Sequence, residues 1–214
     1  MTLAASTDKA PKKHFSMIRG FQLADFFTLG NAACGVAAVL MAMRYLVTRD
    51  LSDLLVAAAF APAAFVFDVL DGRIARWRQT SSALGRELDS LADVISFGVA
   101  PAALAFACGM DGAWDAAILV YFVCCGVSRL ARYNVTAESL SEGSGKVRYF
   151  EGTPIPTSVV LTAVLAWVAW QGSVGDRLPG GAWSFLGGEL HPLALMFALS
   201  GTLMISKTLH IPKL

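Results

Sequence analysis

Residues 68–93 read DVLDGRIARWRQTSSALGRELDSLAD, four aspartates and four arginines in one short run. The surrounding chain is oily: of 214 residues 56% are hydrophobic and 15% charged, against about 45–50% apolar for an ordinary soluble domain. Its apolar residues come in long blocks rather than at the 3.6-residue spacing of a half-buried surface helix. Both observations predict an all-α integral membrane protein. In a bilayer such a charge cluster is costly, and intramembrane ionisable groups are by default functional.

Six blocks, at about 26–47, 52–74, 88–109, 113–133, 155–171 and 190–206, approach the ~20 residues a helix needs to cross a hydrocarbon core. Every lysine and arginine except Arg44, Arg49 and Arg177 falls on one side of such an arrangement. The positive-inside rule therefore predicts six transmembrane helices with both termini cytoplasmic. Residues 1–25 read as a short cytoplasmic or interfacial segment without the apolar region of a secretory signal, and 26–214 as a single six-helix domain. The aspartate run then sits at the cytoplasmic end of the second and third spans, where nucleotides and divalent cations are available. The net charge of +1 is uninformative about nucleic acid, but the basic residues are too scattered for a phosphate-tracking stripe, so no nucleic-acid partner is expected. Cys34, Cys108, Cys124 and Cys125 lie in apolar blocks without CxxC spacing and read as small buried thiols.

The spacing of the acidic residues carries more. Asp68 and Asp71 are three apart and Asp89 and Asp93 four apart, so on helices each pair shares a face. Gly85 and the polar QTSS suit a turn that brings two antiparallel helices, and both pairs, together. Crowded carboxylates repel one another, and a divalent cation removes that repulsion. Hard cations prefer oxygen ligands, and magnesium is commonly held by a few carboxylates plus substrate phosphates. Gly72 and Ala75 clear space beside the helix backbone, and Arg76 offers phosphate a planar fork of donors. Three readings remain at this level: a divalent-metal phosphate site, a cation-coupled transport site, or structural pairing. Arg73, Arg78, Arg86 and Glu87 read as a solvated rim, and His14, His191 and His210 as surface histidines. The tryptophans at 77, 167, 170 and 183 suit an aromatic belt. Thr28 and Asn31 stand where they can approach a nucleotide or bond another helix, and Gly30, Ala33 and Gly35 read as close-packing positions.

The pattern Asp68-x2-Asp71-Gly72-x2-Ala75-Arg76-x8-Gly85-x3-Asp89-x3-Asp93 resembles, without departure, the signature of the CDP-alcohol phosphotransferases, and the six-span layout resembles that family over nearly the whole chain. The resemblance implies two divalent cations, Mg2+ or Mn2+, with Asp68, Asp71, Asp89 and Asp93 as ligands and Asp93 as general base, ligand or both. It implies a CDP-binding pocket shaped by Asp68, Gly72, Ala75, Arg76 and Gly85. The implied reaction is attack of an alcohol on the lipid-side phosphorus of a CDP-linked lipid, with CMP leaving. It also implies a homodimer.

TLGNAACG (28–35), LDSLADVISFGVAPA (88–102), SRLARYNV (128–135), RYFEGTPIPTS (148–158) and MISKTLHIPKL (204–214) resemble the phosphatidylserine-synthase branch. Tyr133 and Thr153 depart from the residues common in bacterial members, and YFEGTPIPT is similar to fungal-like ones. The implied substrates are CDP-diacylglycerol and L-serine. The serine carboxylate asks for an arginine, which Arg129 and Arg132, three apart on the fourth span, can supply with Tyr133, Asn134 and Glu151 in support; Arg148 is spaced to assist. A sister enzyme using inositol phosphate, glycerol phosphate or choline is the alternative acceptor reading, and a cation-coupled transporter or a structural scaffold the alternative outside the enzyme class.

Overall fold

The computed structural model describes residues 22–78, 83–141, 149–206 and 210–212. Its rods are α1 (Leu23–Thr48), α2 (Leu51–Arg78), α3 (Ala83–Asp93), a π-helical turn (Val94–Val99), α4 (Ala100–Ala107), α5 (Ala113–Ser141), α6 (Val159–Trp170) and α7 (Leu195–Ile205). α3, the π turn and α4 form one continuous rod. Among the described residues four helical rods are long and apolar enough to cross a membrane: Leu23–Thr48, Leu51–Trp77, Leu84–Ala107 and Ala113–Val135. Ile155–Trp170 and Pro192–Ile205 are shorter apolar helices. The expected tail over residues 1–21, the QTSS turn, Arg148 and the lysines at 207 and 213 lie outside the described residues.

α1 and α2 form a hairpin closed by two residues. Arg49 takes a left-handed conformation, φ 56°, and its N–H donates to the Tyr45 carbonyl at 2.8 Å. Asp50 accepts from the Ser52 N–H at 3.0 Å, satisfying a donor that the start of α2 would leave unpaired. Thr48 Oγ1 donates to Asp53 at 2.7 Å across the turn. The face of α1 that meets its neighbours is Ala24, Thr28, Asn31, Gly35, Ala38, Ala42 and Tyr45, all buried. These positions alternate four and three residues apart, the spacing of a helix–helix seam, and most are small, as lipid-embedded seams require for close backbone approach. Gly35 is the tightest point: a Cβ there would lie 2.5 Å from Ser96 Oγ and 2.7 Å from Ser96 Cα. Ala33 faces outward, off this seam, so its expected packing role is not met within the described chain.

The π turn sits just ahead of Pro101. Proline has no N–H to donate and its ring collides with the carbonyl four residues back; widening the helix by one residue relieves both, and the Ala100 N–H accordingly bonds the Ile95 carbonyl five residues away. The turn is held by α1 on one side and by Ile155 on another, whose side chain is buried against α5, where a Cβ on Gly126 would come within 2.7 Å of it.

Two small antiparallel ribbons join the helices. β1 (Tyr149–Glu151) pairs with β4 (His210–Pro212), Phe150 opposite Ile211. β2 (Trp183–Phe185) pairs with β3 (Gly188–Leu190) across Leu186 and Gly187, both at positive φ, 48° and 79°, as a two-residue hairpin turn demands. At this end of the bundle His191, expected at the surface, is buried: its ring Nδ1 lies 2.6 Å from Asp115 Oδ2 and its backbone N–H donates to Asp115 Oδ1 at 2.8 Å. Of the four cysteines Cys108 and Cys125 are buried as expected, Cys34 is half-buried and Cys124 is exposed. Trp77, Trp167, Trp170 and Trp183 are all largely exposed at helix ends or on the β2 strand.

Candidate metal and phosphate site

The end of the bundle opposite His191 gathers the acidic residues. α2 runs toward this end and delivers Asp68 and Asp71; α3 runs away from it and delivers Asp89 and Asp93. One carboxylate oxygen from each of Asp68, Asp71 and Asp89 lies within 4.8 Å of the others. Asp93 shares the face of Asp89 but sits a helical turn deeper, about 6 Å along the axis, and stands outside that trio. Asp71 and Asp93 are buried, Asp68 and Asp89 half-buried.

α1 supplies partners to two of them. Thr28 Oγ1 donates to Asp71 Oδ2 at 2.8 Å, and Asn31 Nδ2 donates to Asp93 Oδ1 at 3.1 Å. Ser96 Oγ, in the π turn, donates to the Asn31 carbonyl at 2.8 Å. Thr28 and Asn31 therefore bond neighbouring helices through the acidic residues themselves. A fifth acidic residue that spacing along α2 and α3 does not reveal, Asp25, is buried in the first turn of α1 and accepts from the Gln22 N–H at 2.7 Å. The signal for it is the capping pattern, a polar residue followed three positions later by an acid at a helix start.

Asp25, Thr28, Asp71 and Asp89 line a cleft of about 120 Å³ with Gln22 and Gly72, and Ala75, Gly85 and Arg86 complete its wall. The expected small residues thus stand where side chains would narrow it. A Cβ on Gly72 would come within 3.7 Å of the Arg76 guanidinium, so Arg76 lies over the glycine at the cleft edge. Arg76 is exposed, as are Arg73, Arg86 and Glu87; Arg86 lines the cleft, which a solvated rim does not require.

The residues expected to meet the acceptor are divided. Arg129 is half-buried on α5, within electrostatic reach of Asp93, and its Nε is buried without a hydrogen-bond partner among the described residues. Arg132 is half-buried and Tyr133 half-exposed. Asn134 faces α3: its Nδ2 donates to Ser90 Oγ at 3.0 Å and to Glu87 Oε1 at 3.4 Å. Glu151 lies on β1, and its side chain is outside the described residues.

The donor set suits a divalent cation. Three carboxylates converge, all donors are hard oxygens, and Asp89 Oδ1 is buried without a hydrogen-bond partner among the described residues. A buried carboxylate oxygen left unpaired is costly unless a cation takes it. Carboxylates on two helices, a glycine-walled cleft and arginines at its edge define a site able to grip a cation together with an anionic, phosphate-bearing molecule.

The chain matches the CDP-alcohol phosphatidyltransferase family over residues 21–203 and belongs to it. It is 44% identical over 205 residues to the CDP-diacylglycerol–serine O-phosphatidyltransferase of Saccharomyces cerevisiae, covering 94% of this chain and 74% of the yeast protein. It is 34% identical over 185 residues to the enzyme of the same name from Helicobacter pylori, covering 85% of this chain and 68% of that one. The archaetidylserine synthase of Methanothermobacter thermautotrophicus is 37% identical over 141 residues, 64% of this chain and 54% of the archaeal protein.

Proposed function

We propose that the protein is a phosphatidylserine synthase: it transfers the phosphatidyl group of CDP-diacylglycerol to the hydroxyl of L-serine and releases CMP. The observation that carries this reading is the carboxylate trio of Asp68, Asp71 and Asp89 beside a cleft walled by Gly72, Ala75 and Gly85, in a chain whose reported relatives are named for serine transfer.

Asp68, Asp71 and Asp89 would hold two divalent cations, magnesium or manganese, and Asp93 beside them would serve as the base. Cations held by these residues would supply charge neutralisation at the pyrophosphate and the phosphoryl oxygens, the kind of electrostatic stabilisation on which phosphoryl transfer depends most. Gly72, Ala75 and Gly85 leave room for the cytidine diphosphate moiety, and Arg76 closes over it. Asp93, apart from the trio, accepts the proton as the serine oxygen forms its bond to the lipid-side phosphorus; the phosphoanhydride bond breaks and CMP departs with the electron pair. As a base Asp93 depends on placement within hydrogen-bond reach of the hydroxyl proton it takes. Arg129, with an unpartnered buried Nε near Asp93, and Arg132 take the serine carboxylate.

The two shorter apolar helices complete six spans, with both termini and the cleft on the cytoplasmic side and a homodimer as the working unit. Purified protein in detergent, given CDP-diacylglycerol and Mn2+ or Mg2+, should release CMP with L-serine and not with inositol phosphate, glycerol phosphate or choline. Release with one of those alcohols instead would overturn the acceptor assignment; release with none would return the acidic cluster to cation transport.

A further inference from the structure

Asn31 is fully buried, 0% exposed, in the seam between α1 and the rod that carries Asp93. Its side-chain amide donates to one oxygen of Asp93, at 3.1 Å, and its backbone carbonyl accepts from Ser96 Oγ at 2.8 Å. The residue therefore grips the same rod on both sides of the junction between α3 and the π turn. Its Oδ1 is buried and finds no hydrogen-bond partner among the described residues. That asymmetry fixes the amide: turned over, it would set a carbonyl oxygen against a carboxylate, replacing a charge-assisted bond with a repulsion. Three residues before it Thr28 bonds Asp71, so α1 steadies the trio and Asp93 through different side chains.

We infer that Asn31 is a positioning residue for Asp93, holding one carboxylate oxygen so that the other faces the acceptor alcohol, and that it acts through Asp93 rather than through the cation ligands. The inference rests on the proton-accepting role proposed above for Asp93. A carboxylate free to rotate about its side-chain bonds spends most of its time out of line with the hydroxyl, and misplacement by an ångström is enough to slow a reaction about a hundredfold. The amide removes that freedom without touching substrate. An interaction of this kind matters in the transition state and not in ground-state binding, so its loss lowers kcat and leaves KM alone.

The test compares Asn31→Ala, Asn31→Asp and Ser96→Ala with the unaltered protein in CMP release, and separately in Mn2+ affinity read from the protection that Mn2+ gives against thermal unfolding in detergent. Losing a hydrogen bond to a charged group predicts a kcat lower by roughly 10- to 100-fold in Asn31→Ala. KM for serine and for CDP-diacylglycerol and the Mn2+ affinity should stay within about twofold, as expected when only transition-state placement is lost. Asn31→Asp, which sets two carboxylates face to face, should be slower still. Ser96→Ala, which removes one of the two grips, should slow turnover less and serves if the Asn31 variants do not fold.

An unchanged kcat overturns the inference, as does a raised KM with kcat intact, or weakened Mn2+ binding. If the unaltered protein uses another alcohol and not serine, the serine reading fails and the same comparison on that alcohol decides this one. If it releases CMP with no alcohol, both fail.

Discussion

Placing one methyl group on α1 at Gly35 tests whether the seam between α1 and the π turn controls chemistry as well as packing. In Gly35→Ala the new carbon would sit 2.7 Å from Ser96 Cα and 2.9 Å from Ser96 N, whereas carbon atoms in contact prefer about 3.5–4.0 Å. The obstacle is backbone, which cannot swing aside, so α1 and the π turn must part by about 1 Å to restore that spacing. Overpacking of this kind costs about 1–3 kcal/mol. The same displacement stretches the Asn31 to Asp93 hydrogen bond, 3.1 Å at rest, beyond useful length, and turnover should fall about a hundredfold. Gly98→Ala is the matched control: it lies in the π turn itself, yet a Cβ there meets Ile155 Cδ1 at 3.9 Å and Val123 Cγ1 at 4.0 Å, ordinary contact distances. Thermal unfolding in detergent and CMP release at saturating serine would be measured on both. A Gly35→Ala protein with unaltered midpoint and turnover, or a Gly98→Ala protein equally impaired, would refute the reasoning.

Other positions give sharper separations of stability from chemistry. Thr28→Val keeps the shape of the side chain but removes the 2.8 Å donor to Asp71; losing a hydrogen bond that orients a metal-binding carboxylate costs about 10–100-fold in metal affinity, read as a higher Mn2+ requirement with the unfolding midpoint little changed. If the Mn2+ requirement is unaltered, Asp71 does not depend on Thr28. At the opposite end, Asp115→Ala strips partners from the His191 ring, the His191 N–H and the Gly112 N–H, the last at 3.2 Å. Breaking such a buried arrangement should cost about 3–5 kcal/mol while KM for both substrates stays as it was; an unchanged midpoint would show that the far end carries no such load.

The aspartates were legible because spacing and chemistry point the same way. Residues three and four apart on two antiparallel helices must converge, and Asp68, Asp71 and Asp89 do. Spacing gives the shared face of Asp89 and Asp93, and Asp93 lies next to the trio, within electrostatic reach of Asp68 and Asp89. The six apolar rods were legible from block length, with two of them short. Which face of each rod packs inward was not, because in lipid both faces are apolar; on α1 size rather than polarity separates the buried Gly35 and Ala38 from the exposed Val36 and Leu40. In sequence His191 looks like a surface residue, because its partner, Asp115, is 76 positions away and only the folded chain brings them together. Asn134 stands beside Arg132 and Tyr133 in sequence, which suggests a shared task; its bonds to Ser90 and Glu87 appear only in the fold. The hairpin of β2 and β3 leaves no mark in the sequence, because three-residue strands are too short for alternation to register.

The π turn also sets an angular relation between two halves of one rod. An α-helix advances about 100° per residue, so the extra residue accommodated between Val94 and Val99 rotates the half bearing Asp89 and Asp93 against the half bearing Ala100, Leu104 and Ala107. Each half is thereby indexed separately: one to the acidic cleft, the other to the buried core, where all three of those residues lie. Removing one residue from the turn would leave every side chain chemically intact and still put one half out of phase with its surroundings. The length of this segment, quite apart from its composition, therefore constrains the chain as firmly as the aspartates do.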